Sequence, residues 1–269
     1  MVMVMRQRKL LIQLFMANLS HTIAILAYNN HELTLKNIQH LIKNGYKENI
    51  LLFDNGSYPS FKNNADKYGI RYQREPNNIY VNPAWNIIVN QENCQYLTLL
   101  NNDCFILSPH YFQDVLEHMK NNDIGISSCK TRNIIKLDRV LKTEKFFYYH
   151  KFFHKETKKV RFFYNARRQG WLMTLNLNKY KQMNSQIPDY IKLWYGDDWI
   201  WGQFLQNNEK YGIYKNRYAV HIKNATIESS KTFDLIVNED MLNIDKFGDW
   251  YKIVSPKLHI KSKLFNKYI

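Results

Sequence analysis

A chain of 269 residues with 45% hydrophobic residues and only six prolines can bury one sizeable core, which argues against disorder and sets a single α/β domain with extensions as the expectation. Its three cysteines, Cys94, Cys104 and Cys129, form no CxxC pair, so a disulfide framework or a zinc site is not expected and a reducing compartment fits best. A formal net charge of +15 implies attraction to something acidic, whether nucleic acid, an anionic membrane or a phosphate-bearing substrate, without choosing among them.

Residues 1–19 carry a basic run and then LLIQLF, which is short for a signal-peptide core and lacks an A-x-A-like cleavage site. They read as a surface-seeking or poorly ordered leader, or as the product of an upstream start codon with the domain beginning near Met16. No apolar stretch approaches the roughly 20 residues that span a bilayer. The first strand, Thr22–Ala27, ends in polar Asn29 and Asn30. A helical pattern through Leu33, Ile38, Leu41 and Ile42 then runs to a stop at Gly45. NILLFDNGS is a second strand, ending at Asp54 with a turn signal after it. A polar helix over Pro59–Tyr68 stops at Gly69, and IRYQR is a third strand. Pro83 suits the first turn of a helix carrying Trp85, Ile88 and Val89, and YLTLLNND is a fourth strand. The order βαβαβαβ predicts a parallel sheet.

The stretch LLNNDCFIL ends a buried strand on Asn101, Asn102 and Asp103, side chains that strand interiors tolerate poorly. In open α/β sheets ligands bind beyond the carboxyl ends of the strands, where Asn29, Asp54 and Asp103 all fall. Each alone reads first as a turn or cap residue; three at successive strand ends weaken that reading in favour of a site. Further along, IPDYIKLWYGDDWIWGQFLQNN sets Asp197 and Asp198 at the start of a helix carrying Trp199, Ile200, Trp201, Phe204 and Leu205. Acids there also serve as ordinary caps and complement the helix dipole. His221 follows in NRYAVHIKNAT, where a structural histidine is the plain alternative. Arg139–Tyr164 interleaves aromatics with lysines and arginines, suited to a packed hairpin, a base-stacking track, an acceptor glycan or a lipid surface. The tail KLHIKSKLFNKYI, from Lys257, has four lysines and no acids and resembles a weak interfacial helix.

Taken in order, TIAILAYNN, ILLFDNGS, EPNNIYVNPAWN, LLNNDCFI, YGDDWIWG and AVHIKNAT resemble the nucleotide-sugar-dependent glycosyltransferases of the GT-A fold, family 2 in particular, over roughly residues 20 to 230. The resemblance implies a Rossmann-like, mostly parallel sheet flanked by helices. It divides the chain into the leader (1–19), a catalytic domain (20–230) and a helical, basic C-terminal extension (231–269). Within the catalytic domain, 20–107 would bind the nucleotide sugar and 108–230 the acceptor.

By the same resemblance, Asp54 contacts the base or ribose, and Ala27, Tyr28, Asn29, Asn77, Asn86, Asn101 and Asn102 line the nucleotide sugar. The family pattern similar to NxGxxxAxN lacks its glycine here, and the first acid of the DXD motif has become Asn101. Asp103 is left as the direct ligand of Mg²⁺ or Mn²⁺, with His221 on the metal or the diphosphate. Asp198 is expected as the base that deprotonates the acceptor hydroxyl and Asp197 as the residue that orients it. Gly170 and Trp171 resemble the acceptor-side strand, with Arg167 and Arg168 near phosphates. The implied reaction is inverting transfer from a nucleotide diphosphate sugar, a uridine one, to a hydroxyl of a glycan or glycolipid. Such an enzyme is expected in the cytoplasm, peripherally on a membrane face, with no nucleic-acid partner. Two other classes stay open. A nucleotidyltransferase would share the sheet and metal logic, but AYNNHE is not a glycine-rich phosphate loop. A nucleic-acid-binding protein would explain the charge but leave the acids without a purpose.

Overall fold

The computed structural model describes residues 20–108, 110–134, 159–166, 170–222 and 231–248. The leader, most of the basic aromatic segment, Arg167, Arg168 and the lysine-rich tail lie outside the described residues.

Strand β1 (His21–Ala27) is buried along its whole length and feeds α1 (His31–Lys43). Then follow β2 (Ile50–Asn55), α2 (Lys62–Tyr68), the more exposed β3 (Arg71–Glu75), α3 (Val81–Gln91) and β4 (Tyr96–Asn101). β1, β2 and β4 are near-continuous apolar runs, as strands covered on both faces require. All pairings among these four strands are parallel, in the order β3-β2-β1-β4. Alternate residues of β1 serve opposite faces. Ile23 and Ile25 pack with Ile38 and Leu41 of α1, while Ala24 and Leu26 pack with Trp85 and Ile88 of α3. Each fully buried isoleucine or leucine among them contributes about 1.5–3 kcal/mol.

The second half adds β5 (Cys104–Ile106), α4 (Tyr111–Asn122), β6 (Ile124–Ile134), β7 (Phe162–Tyr164), β8 (Leu172–Asn176), α5 (Leu177–Gln182), α6 (Gly196–Gln206), β9 (Lys210–Ile222) and α7 (Lys231–Asn243). Here the sheet becomes mixed. β8 lies antiparallel to both β4 and β6, β9 runs parallel to β6, and short β5 and β7 pair antiparallel with β9. The full order is β3-β2-β1-β4-β8-β6-β9-β5, with β7 on β9. The polar helix expected from Pro59 begins only at Lys62, because the Asp54 carboxylate accepts the N–H groups of Ser57 (2.8 Å) and Phe61 (3.0 Å) and holds the intervening residues as a turn. The three cysteines are buried and none is in a disulfide.

Candidate active site

The parallel register sets the polar strand ends side by side: Ala27 pairs with Asp54, and Leu26 with Asn101. Ala27 is fully buried, whereas Tyr28 next to it is 37% exposed. Asn29 and Asn30 then turn the chain in the left-handed region, at φ 51° and 49°, which asparagine adopts more readily than other side-chain-bearing residues. Asn29 joins two strand ends, since its N–H donates to Ser57 Oγ (2.9 Å) and its Oδ1 accepts from Tyr58 N–H (3.0 Å). Asp54, fully buried, also accepts from Tyr72 Oη (2.8 Å) and Arg74 (3.2 Å), so its carboxylate is engaged by four donors of the protein itself. Asn77 is exposed, and its backbone packs against Gly56, where an added Cβ would stand 2.4 Å from the Asn77 carbonyl carbon. Asn86 lies elsewhere, exchanging two hydrogen bonds with the backbone of Ile187 (2.8 and 2.9 Å).

The Asn101–Asp103 turn is cradled by α1. Asn102 Nδ2 donates to Thr34 Oγ1 (2.9 Å), and Asn37 Nδ2 donates to the carbonyls of Asn102 (3.2 Å) and Cys104 (3.0 Å). The buried Asn102 side chain therefore faces the helix. Asp103 faces β9 instead: Cys104 pairs with His221, and Ile222 N–H donates to the Asp103 carbonyl (3.0 Å). Asp103 Oδ1 stands 3.5 Å from His221 Nε2. The His221 ring stacks on Trp171, with centroids 4.2 Å apart and planes 11° from parallel. Trp171 is tied back to the same turn, its carbonyl accepting from Asn101 N–H (3.0 Å).

Gly170, next to Trp171, leads to the acidic pair. A Cβ at Gly170 would stand 2.6 Å from Asp197 Cβ and 2.8 Å from the Trp85 ring, so the missing side chain is what lets Asp197 lie there. Asp197 is half-buried and Asp198 buried, both in the first turn of α6. That helix starts from Tyr195 in the left-handed region (φ 64°), followed by Gly196, where a Cβ would collide with Asn82 at 2.0 Å. Burial pushes the Tyr195 phenol up to about 12, aided by the negative charges of Asp198, Asp240 and Asp197. Asp103, His221, Trp171, Gly170 and Asp197 thus form one continuous line, with the carboxyl ends of β1 and β2 beside it.

Nothing in the sequence singled out Asn82 or Asp240. Asn82 Nδ2 donates to the Trp194 carbonyl (2.9 Å), and Asp240 on α7 accepts the N–H groups of Lys192, Leu193 and Trp194, each at 2.8 Å. An acid inside VNEDMLN looks like any solvated helix residue, and only the fold shows it to be 1% exposed.

One carboxylate and one imidazole could each give a ligand to a divalent ion such as Mn²⁺, with the remaining ligands coming from elsewhere. Two adjacent ligands of an octahedral ion with bonds of about 2.1 Å stand about 3 Å apart, close to the Asp103–His221 separation of 3.5 Å. Among the described residues no group of three or more His, Cys, Asp or Glu is placed to hold a metal, so diphosphate oxygens and water would have to complete the shell. Buried His221 Nδ1, Trp171 Nε1, Trp85 Nε1 and Asn82 Oδ1 have no hydrogen-bond partner among the described residues.

The model of "Glycosyl transferase family 2" matches residues 22–182, more than half of the chain. The chain belongs to glycosyl transferase family 2. That membership decides among the three classes the sequence left open. No curated protein sequence matches the chain. Among solved structures, "GalNAc-T7 with UDP, GalNAc and Mn2+" is similar at 15% identity and TM-score 0.61, covering 89% of this chain and 51% of that one. Mannosyltransferase PcManGT from Pyrobaculum calidifontis, in complex with GDP-Man and Mn2+, shares 13% identity at TM-score 0.59, covering 91% and 70%. S. aureus TarS 1-349 in complex with UDP-GlcNAc shares 10% at TM-score 0.57, covering 84% and 66%. The chain therefore spans about half the length of the GalNAc-T7 chain. These likenesses show the fold, which is GT-A. The family match stops at residue 182, ahead of the acidic pair and His221, while the structural likenesses extend over most of the chain. No helix among the described residues is long and apolar enough to cross a membrane.

Proposed function

We propose that this family 2 protein transfers a hexose-type unit from a nucleotide diphosphate sugar, a uridine one, to a hydroxyl of a glycan or glycolipid, with inversion in a single displacement. The observation that supports the reading is the line from Asp103 through His221, Trp171 and Gly170 to Asp197, which sets an aspartate–histidine pair beside an acidic pair.

Asp103 and His221 would hold Mn²⁺ or Mg²⁺, which when bound neutralises charge on the departing diphosphate. Tyr28 and Asn29 would form the wall for the base and ribose, with Ala27 buried behind them. Asp54 acts at that wall by fixing Ser57, Tyr72 and Arg74. Asp198 takes the acceptor proton as the acceptor oxygen bonds to the anomeric carbon and the sugar–phosphate bond breaks. A sugar hydroxyl is a weak acid, so this proton moves mainly in the transition state, and positioning matters more than basicity. Asp197 orients the acceptor. A second reading exchanges the two acids, and the contact of Asp197 with Gly170, beside Trp171, favours it.

The net charge of +15 supports a peripheral location at an anionic membrane surface, tested by sedimentation with anionic and neutral vesicles. The reaction itself is tested by a screen of UDP- and GDP-sugars for released nucleoside diphosphate, with and without Mn²⁺. Metal-dependent release from a UDP-sugar is the expected result. No release from any sugar nucleotide, with or without candidate acceptors, would reject the reading.

A further inference from the structure

We propose that Asp240 is a positioning residue that sets the acidic pair of α6 from outside the site, making α7 a working part of the transferase. The inference rests on the acceptor-side role of Asp197 and Asp198 proposed above. Lys192, Leu193 and Trp194 turn three successive N–H groups onto the Asp240 carboxylate, at 2.8 Å each. The opposite side of the same loop is held by α3, where Asn82 N–H donates to the Lys192 carbonyl (2.9 Å) and Asn82 Nδ2 to the Trp194 carbonyl (2.9 Å). The loop is pinned at its flanks too, by Asn86 on Ile187 and by Asn243 Nδ2 donating to the Tyr190 carbonyl (2.8 Å).

Only Tyr195 and Gly196 separate this latch from Asp197, and both are closely packed. Tyr195 is buried at positive φ, and Gly196 has no room against Asn82. A turn of Lys192–Trp194 would therefore reach the first turn of α6 across two packed residues. Asp240 is 1% exposed, and burial raises its pKa while the three N–H groups oppose that rise. Burying a carboxylate is a costly way to hold a loop that apolar packing could also hold. What a carboxylate adds is the ability to accept several convergent N–H groups at a fixed geometry, which apolar contacts do not specify. Displacement of reacting groups by about 1 Å can lower a rate about 10²-fold.

The test is Asp240→Asn, which keeps the shape but turns an amide donor toward the loop's N–H groups, beside Asn243→Ala, which loosens α7 on the same loop without touching the latch. Backbone hydrogen exchange, UDP binding with Mn²⁺, and water-driven release of UDP from UDP-hexoses are measured in each. In Asp240→Asn the amides of residues 192–199 should exchange about tenfold faster or more. Its kcat for UDP release should fall about tenfold or more, while KM for the donor and UDP affinity stay within about twofold. Asn243→Ala should keep kcat within about threefold even if its Tm drops as far. Equal kcat losses at equal Tm, or unchanged exchange at residues 192–199 in Asp240→Asn, would overturn the proposal. If Asp240→Asn does not fold, Asp240→Glu, which moves both oxygens one methylene further, is read the same way. Failure of the underlying reading shows differently, as a wild-type protein that neither binds UDP with Mn²⁺ nor releases it, and the exchange comparison then still decides whether Asp240 sets the first turn of α6.

Discussion

Asp103 and His221, far apart in the chain, are brought within 3.5 Å because Cys104 and His221 occupy one register position of the β5–β9 pair. Under the proposed function, this carboxylate and imidazole would supply two ligands of a divalent ion, with diphosphate oxygens and water completing its shell. Asp103→Ala should abolish the Mn²⁺-dependent part of UDP binding while the protein stays folded, since the turn is also held by the Asp103 carbonyl and by Asn102. Calorimetric titration with and without Mn²⁺ checks this. Unchanged metal dependence in the folded variant would remove Asp103 from the site.

The two acids of α6 are separable. If Asp198 is the base, Asp198→Asn keeps its shape but cannot take the proton, so turnover should fall about 10² to 10⁴-fold with donor affinity unchanged. Asp197→Asn should instead raise the acceptor KM more than it lowers kcat. Interchanged results would make Asp197 the base, and two active variants would exclude both acids.

Gly170 offers a check on the geometry that leaves every acid in place. The methyl of Gly170→Ala would need the space of Asp197 Cβ and the Trp85 ring, at 2.6 and 2.8 Å. Turnover is expected to drop about 10²-fold, with UDP affinity nearly unchanged. Wild-type turnover in a folded Gly170→Ala protein would mean that the position of Asp197 does not matter.

Stability should decline on the acid side through His21. Its ring is buried, Nε2 meets Thr98 Oγ1 at 2.9 Å, and burial lowers its pKa from 6.5 to about 3. Because the folded value lies below the unfolded one, the unfolded chain takes up a proton that the folded protein refuses as pH falls from 6.5 toward 3. Folding loses up to about 1.4 kcal/mol per pH unit in that window, and none of this loss is present above it. Urea unfolding at a series of pH values should give a shallower acid limb for His21→Phe than for wild type. Parallel limbs would show that His21 titrates normally.

The first four strands were legible because each is a short apolar run closed by a turn signal, and local patterns of that kind need no knowledge of the rest of the chain. The order of the motifs drew attention to Asp103, Asp197, Asp198 and His221, and the fold sets Asp103 beside His221 and links them through Trp171 and Gly170 to Asp197. The antiparallel return of β8 between β4 and β6 was not, because pairing partners are chosen by the packing of the whole sheet. Nor was the inward turn of Asn102, whose amide meets Thr34 on a helix far earlier in the chain. Asp240 had no signal at all, since its importance lies in three backbone N–H groups of a distant loop.

The central claim, that this family 2 chain works on a nucleotide diphosphate sugar through a divalent cation held at Asp103 and His221, is tested most directly by one titration. UDP and, in parallel, GDP are added to the wild-type protein in Mn²⁺ and again in EDTA, with heat as the readout. The expected result is saturable one-to-one binding of UDP in Mn²⁺ that weakens at least tenfold in EDTA, with GDP weaker throughout. Absence of binding by either nucleotide in Mn²⁺, or binding of equal strength in EDTA, would contradict it.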